Sequence, residues 1–253
     1  MFDLTDKTIL ITGSCKGIGL AMAKALHHQG AHVAVTARET DNYPDLMQHF
    51  VSDPERVLLL NCDIASETSI QRTVQSVVNW RGQINGCIAN AGERGSGTPV
   101  TELSVDRWQQ NINTNLNGTF LTLKYAAQAM KQQNVGGRLA ATASVAALKG
   151  NAGFADYGAS KAAITALSRS LAVELAADRI TVNCILPGWV ETDMNADVLA
   201  DRRQYESIKR LRIPMGYWAK PEDIAPAAVY LMSAESGYQT GDALTIDGGY
   251  SIF

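Results

Sequence analysis

Short runs of β-branched and aliphatic residues alternate with longer amphipathic segments along this chain, and this alternation restricts its fold more than any other feature. The first four runs typical of buried strands are Lys7–Thr12, His32–Thr36, Val57–Asn61 and Ile84–Ala89. The helical patterns between them are Leu20–Gln29, Leu46–Phe50 and Glu67–Trp80. This β-α-β order predicts a parallel sheet with helices on both faces.

The second half of the chain continues the alternation. Three further strands are predicted at Arg138–Thr142, Ile180–Leu186 and Leu244–Ile246, which brings the expected sheet to seven strands. The helical patterns here are a long region capped by Ser104 that runs to about Gln133, then Phe154–Ala177 and Pro221–Ser233. Because no linker or repeat interrupts residues 1–253, we expect one α/β domain.

Composition excludes several classes of function. The chain has 253 residues, 46% hydrophobic and 19% charged, with a formal net charge of −3, so we expect neither nucleic-acid binding nor membrane insertion. The first residues show no signal-peptide pattern, which predicts a cytoplasmic protein. The four cysteines form no Cys-x-x-Cys, and the four histidines show no ligand spacing, so we expect buried free thiols and no metal site.

Three glycines, Gly13, Gly17 and Gly19, separate the first predicted strand from the first predicted helix. Glycine allows positive φ and a close approach of the backbone to a ligand. The N-terminus of the following helix offers free N–H groups and a positive dipole end, which suit a pyrophosphate. At the start of a β-α-β unit, these glycines indicate a dinucleotide-binding loop.

A second group of polar residues suits acid–base chemistry. Tyr157 and Lys161 are four residues apart in a predicted helix, so they share one face, and the cation is expected to lower the pKa of the phenol. A phenol tuned in this way can act as a general acid or base on a carbonyl or alcohol. Ser144 follows a predicted strand, where its hydroxyl can donate a hydrogen bond to a developing oxyanion.

The order and spacing of these motifs resemble one family. The motifs are Thr12-Gly13-Ser14-Cys15-Lys16-Gly17-Ile18-Gly19, Asn90-Ala91-Gly92, Ser144, Tyr157-x-x-x-Lys161, Pro187-Gly188 and the terminal Asp247-Gly248-Gly249. Together they are similar over the whole chain to the short-chain dehydrogenase/reductase family, in its single-domain branch. The resemblance implies a three-layer, doubly wound Rossmann fold with NAD or NADP across the carboxyl edge of the sheet.

The resemblance also implies roles for individual residues. The catalytic tetrad would be Asn115, Ser144, Tyr157 and Lys161. Tyr157 would exchange the proton, Ser144 would fix the substrate oxygen, and Asn115 would support a water chain to Lys161, while hydride moves between nicotinamide C4 and the carbinol carbon. The cofactor-binding residues would be Gly13, Ser14, Lys16, Gly17, Ile18, Gly19, Arg38, Asp63, Ile64, Asn90, Ala91, Gly92, Tyr157, Lys161, Pro187, Gly188, Val190 and Thr192.

The region after the second strand bears on cofactor choice. An NAD-selective site places an acid there, about twenty residues past the glycine loop, to bind the ribose 2′-OH. This chain has Ala37-Arg38 at that point, with Lys16 as a second cation in the loop. Two cations can pair with a 2′-phosphate, so the sequence predicts NADP(H).

The substrate side is less determined by sequence. Residues 191–218, called here the 191–218 segment, are predicted to form a substrate lid, and Ser144, Phe154, Tyr157, Trp189 and Met194 are the predicted substrate-binding residues. Their character favours a neutral, partly apolar ketone. Against this stands a basic cluster in the segment, which would suit an acidic substrate or carrier. Its members are Arg202, Arg203, Lys209, Arg210 and Arg212.

Several functions therefore stay open. The first is an NADP-dependent carbonyl reductase or alcohol dehydrogenase acting on a small molecule, and its nearest alternative is a 3-oxoacyl-ACP/CoA reductase. A non-catalytic dinucleotide-binding protein would not need the tetrad, and a hydrolase using Ser144 would lack both a Gly-x-Ser-x-Gly turn and a downstream histidine. The resemblance implies a homotetramer or homodimer, and the apolar end Tyr250-Ser251-Ile252-Phe253 agrees with a covered C-terminus.

Overall fold

A single seven-stranded sheet forms the centre of the computed structural model, which describes all 253 residues. The strands are β1 (Thr8–Ile11), β2 (His32–Ala37), β3 (Val57–Asn61), β4 (Gly86–Ala89), β5 (Gly137–Thr142), β6 (Ile180–Pro187) and β7 (Ala243–Ile246). Their order in the sheet is β3-β2-β1-β4-β5-β6-β7, and every pair is parallel. The predicted α/β class with a doubly wound sheet is confirmed.

The chain has eight α-helices, most of which cover the two faces of this sheet. They are α1 (Gly17–His28), α2 (Glu67–Arg81), α3 (Val105–Ile112), α4 (Gly118–Gln133), α5 (Ala155–Leu175), α6 (Ala196–Ala200), α7 (Arg202–Arg212) and α8 (Pro221–Met232). Successive β1 side chains point to opposite faces, so Ile9 and Ile11 join one buried cluster and Leu10 joins the other. Burial on both faces explains why the strands read as continuous apolar runs.

Helix boundaries differ from the sequence-based expectation in three places. Helix α1 begins at Gly17 rather than Leu20, because the last two glycines of the loop already belong to its first turn. Residues Leu46–Phe50 form a 3₁₀ helix rather than an α-helix. The long region capped by Ser104 is interrupted by a π-helical turn at Asn113–Asn117. Such turns often mark functional positions.

The order of the strands reverses between β1 and β4: β2 and β3 lie on one side of β1, and β4 to β7 lie on the other. In open α/β sheets, a crevice forms at such a switch point, beyond the carboxyl ends of the strands. The loops that follow β1, β4, β5 and β6 meet there and carry the predicted site residues. All four cysteines are buried free thiols, as predicted. None of the helices combines the length and hydropathy needed to cross a membrane.

Candidate active site

A cleft of about 540 Å³ opens at the carboxyl edge of the sheet. It brings together most of the predicted site residues from the glycine loop, the ends of β4 and β5, helix α5 and the loop after β6. Two predicted residues do not line it. Ser14 is fully buried, where its hydroxyl donates to the Ile11 carbonyl at 2.7 Å and accepts from the Thr36 amide at 3.0 Å. The Ser14 side chain thus joins β1 and β2 and does not face the cleft.

The glycine loop forms a backbone cradle at one end of the cleft. Gly13 and Gly17 have φ of +62° and +55°, and a Cβ on Gly13 would lie 2.8 Å from the Ala91 Cα. Lys16 is the N-cap residue of helix α1, but its side chain makes no capping hydrogen bond. The N–H groups in the first turn of α1 are therefore left without a side-chain acceptor at the edge of the cleft. This cradle fits the pyrophosphate of a dinucleotide.

Asn90 ties the strands together below this cradle. Its side-chain amide donates to the carbonyls of Thr12 and Gly13, at 3.1 and 3.0 Å. Its side-chain oxygen accepts from the Thr142 hydroxyl at 3.1 Å. The Thr12 hydroxyl in turn accepts from the amides of Asn90 and Ala91. The ends of β1, β4 and β5 are thus fixed relative to one another by side-chain hydrogen bonds.

Lys161 and Tyr157 lie on the same face of α5, as their spacing predicts. The Lys161 ammonium nitrogen is 5.5 Å from the centre of the Tyr157 ring and donates to the Thr142 carbonyl at 2.8 Å. Burial lowers the pKa of Lys161 to about 8. Burial also raises the pKa of Tyr157, and the Ser144 hydroxyl and the Arg94 guanidinium offset only part of that rise. The expectation that Lys161 lowers this pKa is wrong for the structure, because desolvation dominates.

Asn115 is the second predicted residue that does not line the cleft. It sits fully buried in the π-helical turn, behind the loop that follows β4. Its side-chain oxygen accepts from the Glu93 amide at 2.8 Å, and its side-chain nitrogen donates to the Glu93 carbonyl at 3.0 Å and the Ser160 hydroxyl at 3.3 Å. A Cβ on Gly92 would lie 2.9 Å from this oxygen and 3.6 Å from the Lys161 nitrogen. Asn115 therefore holds the loop against the lysine.

The predicted substrate residues surround the Tyr157 end of the cleft. Ser144 begins a 3₁₀ turn, and its hydroxyl accepts from the Ala146 amide at 3.1 Å. Phe154, Trp189 and Met194 all line the cleft. Trp189 packs on Trp218 with ring centres 4.7 Å apart, which joins the loop after β6 to the end of the 191–218 segment.

The other end of the cleft contains the residues predicted for the adenosine part of a cofactor. Asp63 and Ile64 line it, and Ile64 is held against Gly118. Arg38 is exposed there and has no hydrogen-bonding or ion-pair partner. Lys16 instead forms an ion pair with Asp193 at 3.2 Å, between two exposed side chains. Of Arg38 and Lys16, only Arg38 is thus free to meet a further anion.

Two cations that line the cleft were missed by sequence reasoning. Arg94 projects from the loop after β4 and forms an ion pair with Asp197 of α6. Lys149 donates to the carbonyls of Tyr250 and Phe253, at 2.6 and 3.0 Å. Arg94 follows Gly92 by two residues, so its proximity to the Asn90-Ala91-Gly92 motif was the available signal. No such signal precedes Lys149, whose position depends on the fold of the C-terminus.

Comparisons with known proteins agree with this geometry. A family model described as Enoyl-(Acyl carrier protein) reductase matches residues 13–251. The 3-oxoacyl-[acyl-carrier-protein] reductase of Homo sapiens is 35% identical over 247 residues, which are 98% of this chain and 99% of that protein.

Two solved structures are similar over nearly their whole length. A short-chain type dehydrogenase/reductase from Mycobacterium marinum has a TM-score of 0.92 and 34% identity, covering 98% of this chain and 97% of that one. A gluconate 5-dehydrogenase from Burkholderia cenocepacia J2315, described in complex with NADP and tartrate, has a TM-score of 0.93 and 26% identity, covering 100% and 98%.

Proposed function

Since the chain belongs to the short-chain dehydrogenase/reductase family, we propose that it is an NADP(H)-dependent oxidoreductase that reduces a ketone to a secondary alcohol, or catalyses the reverse reaction. The observation that carries the proposal is the convergence of Ser144, Tyr157 and Lys161 at one end of a cleft whose other end is a glycine cradle. A substrate between them would contact both the proton-transfer group and the reactive end of the dinucleotide.

The state of Tyr157 suits the reductive direction. Because burial raises its pKa, the phenol holds its proton at neutral pH and can donate it to the carbonyl oxygen of the substrate. The Ser144 hydroxyl would hold the same oxygen and stabilise the charge that develops on it. The nicotinamide, when bound, supplies or accepts the hydride. Lys161, fixed by Thr142, would hold the nicotinamide ribose beside Tyr157.

The preference for NADP(H) rests on Arg38. Its guanidinium is exposed at the end of β2, lines the cleft and has no partner, so it is available for a 2′-phosphate. The gluconate 5-dehydrogenase that resembles this chain is described with NADP, which supports the same choice. The remaining predicted cofactor residues would hold the dinucleotide along the carboxyl edge of the sheet.

A 3-oxoacyl thioester reductase is the second candidate. The similarity to the human 3-oxoacyl-[acyl-carrier-protein] reductase favours it, as does the basic cluster on α7, a helix in which no residue is buried. An acidic carrier would be attracted to such a surface, and salt would weaken the attraction.

We also propose that residues 1–253 form one domain, with the 191–218 segment as its substrate lid, and that the protein is a homodimer or homotetramer. Ile252 and Phe253 are 91% and 75% exposed at the C-terminus, where a partner subunit would cover them. Light scattering coupled to gel filtration tests the assembly. A monomer at micromolar concentration would contradict it.

The proposed activity is tested by NADPH consumption with a panel of ketones, diketones and 3-oxoacyl thioesters. We expect turnover of at least one free ketone, and a higher kcat/KM with NADPH than with NADH. Turnover of the thioesters alone, with a KM that rises steeply with salt, would favour the second candidate. Absence of turnover with the whole panel, in both directions, would contradict the proposed function.

A further inference from the structure

The cationic side chains of the cleft differ in how many of their N–H donors already have an acceptor. Near Tyr157, Lys161 is bound to the Thr142 carbonyl, and Lys149 is bound to two carbonyls of the C-terminus. Arg94 is different, because only its Nη1 has partners, the Asp197 carboxylate and the Met194 carbonyl. Its Nε and Nη2 have none. A guanidinium has five N–H donors arranged as a planar fork, so one side of this fork is free.

The backbone of Arg94 is held firmly beside Tyr157. Its carbonyl accepts from Arg107 Nη2 at 3.0 Å and from Asn111 Nδ2 at 3.4 Å. Gly95 follows, and a Cβ there would lie 2.8 Å from the Tyr157 Cβ. The loop therefore cannot move Arg94 away from the predicted catalytic group without breaking buried contacts.

The side chain of Arg94 is also oriented by its surroundings. The guanidinium carbon lies 5.3 Å from the centre of the Phe154 ring, in a cation–π contact, and 27% of the side chain is exposed. The guanidinium acts electrostatically on Tyr157, since it is one of the groups that lower the pKa of that residue. The positive charge thus acts on the phenol that is predicted to exchange the proton.

The acids near the cleft leave this charge only partly compensated. Glu93 is paired with Arg107 at 2.6 Å, and Asp193 with Lys16 at 3.2 Å. Asp197 contacts Arg94 from α6, but its side chain is 66% exposed, so water competes for that ion pair. A substrate anion on the free side of the fork would meet a guanidinium whose ion-pair partner, Asp197, is largely exposed.

We propose that Arg94 binds a carboxylate of the substrate, so that the ketone reduced by this enzyme is a keto acid and its product a hydroxy acid. The inference rests on the proposed function and names its substrate class. Two parallel N–H···O bonds from the fork would fix the carboxylate, and this would place the carbonyl against Ser144 and Tyr157. The sequence-based expectation of a neutral ketone did not take this residue into account, because Arg94 was not among the inferred pocket residues.

The test compares charged and uncharged forms of one substrate. A panel of short keto acids, which differ in the spacing between carboxylate and ketone, is assayed with NADPH beside the corresponding methyl esters. We expect the wild-type enzyme to favour the best acid over its ester in kcat/KM by at least about tenfold, and Arg94→Met to reduce that ratio by about 10–100-fold. Arg94→Lys, which keeps the charge but loses the fork, should give an intermediate ratio.

A matched variant separates substrate binding from a structural role of the ion pair. Asp197→Asn breaks the same pair but leaves the guanidinium in place, so the acid-to-ester ratio should not fall. Calorimetric binding of the keto acid to the enzyme loaded with NADP⁺ provides a readout without turnover, because ketone and oxidised cofactor cannot react with each other, and Arg94→Met should weaken this binding by a similar factor.

Three outcomes overturn the inference. The first is equal use of acid and ester by the wild-type enzyme. The second is an equal loss on both substrates in Arg94→Met and Asp197→Asn, which would show that Arg94 only anchors the 191–218 segment. The third is keto-acid binding to the NADP⁺-loaded enzyme that Arg94→Met does not weaken. If the wild-type enzyme uses neither acids nor esters nor any other ketone, the proposed function fails instead.

Discussion

Two sides of the cleft, a floor at the ends of the strands and the 191–218 segment opposite, are held by different kinds of contact. The floor, defined here as Thr12, Asn90, Thr142 and Lys161, is joined by hydrogen bonds between buried or half-buried groups, such as that from Lys161 to the Thr142 carbonyl at 2.8 Å. The 191–218 segment reaches the opposite rim through two exposed ion pairs, Lys16–Asp193 and Arg94–Asp197. Only its base is anchored by a buried apolar cluster, around Val198, Ile213 and Trp218.

This difference indicates that the floor provides fixed geometry and the 191–218 segment provides mobility. Breaking a hydrogen bond inside the protein leaves a desolvated polar group without a partner, which costs about 1–3 kcal/mol of free energy. The floor therefore keeps its geometry. Exposed ion pairs contribute about 0–1 kcal/mol, so the rim of the segment can rearrange at little cost. Proton transfer needs fixed positions, whereas substrate entry needs movement. We therefore expect substitutions in the floor to change catalysis and stability strongly, and substitutions that only break an ion pair of the segment, such as those at Asp193 and Asp197, to change affinity weakly.

The strongest test of the comparison removes one hydroxyl beside the floor, next to Lys161, and one hydroxyl within the 191–218 segment. Tyr157→Phe keeps the ring and removes the proton, so kcat should fall by about 10²–10⁴-fold while NADPH binding is little changed. Tyr205→Phe is the control in the segment, where the hydroxyl donates to Glu191 at 3.0 Å. It should retain most of its turnover. Steady-state kinetics measures kcat, and fluorescence titration measures NADPH binding, for both variants. Similar losses of kcat in the two would refute the difference in role between the floor and the segment.

A second prediction concerns the pH dependence of stability. Burial lowers the pKa of Lys161 to about 8 in the folded protein, against about 10.4 in the unfolded chain. Between these values the unfolded chain binds more protons, so Lys161 makes the free energy of unfolding rise with pH, and each pKa unit is worth about 1.4 kcal/mol. Lys161→Met should lack this rise. Urea unfolding from pH 7 to about 10.5 measures the difference between variant and wild type.

The control for this prediction is an exposed lysine with the opposite shift. The Asp178 carboxylate raises the pKa of Lys131. The stabilisation it gives is fully present below the unfolded pKa of about 10.4 and is lost only as pH rises through the higher folded value, so Lys131→Met should leave the pH slope between pH 7 and about 10.5 almost unchanged. If Lys161→Met follows the wild-type curve at every pH, the ammonium is not desolvated as the structure indicates.

Sequence predicted the floor better than the rim, for physical reasons. Asn90, Tyr157 and Lys161 follow strands or lie on one helix, where fixed periodicity determines which side chains meet. The same periodicity says nothing about burial, so it could not give the direction of the Tyr157 pKa. It also placed Ser14 at the cofactor, although that side chain faces inward. Arg94 was missed because its role depends on a loop and on α6, which approach each other only in the folded chain.

A third prediction probes the far end of the cleft. Arg38 has no partner in the structure, and a 2′-phosphate would give it one. Arg38→Asp replaces that attraction with repulsion and offers an acceptor to the ribose 2′-OH of NAD. We expect the ratio of kcat/KM for NADPH to that for NADH to fall by about 10–100-fold. A wild-type enzyme that clearly prefers NADH, or a variant with an unchanged ratio, would contradict it.

The smallest expected effect is at the rim of the segment and tests its weakness directly. Asp193→Asn removes the partner of Lys16, and because both side chains are exposed, the melting temperature should hardly change. The freed ammonium would face the cradle that fits a pyrophosphate, so KM for NADPH should decrease by a few-fold in low salt. About 1 M salt should abolish that decrease, because it screens exposed charges beyond about 3 Å.

Lys16→Met combined with Asp193→Asn is the control, and it should show no decrease at any salt concentration. A large loss of stability in Asp193→Asn would mean that the exposed pair holds the segment as tightly as hydrogen bonds hold the floor, and the distinction between the two sides of the cleft would then fail.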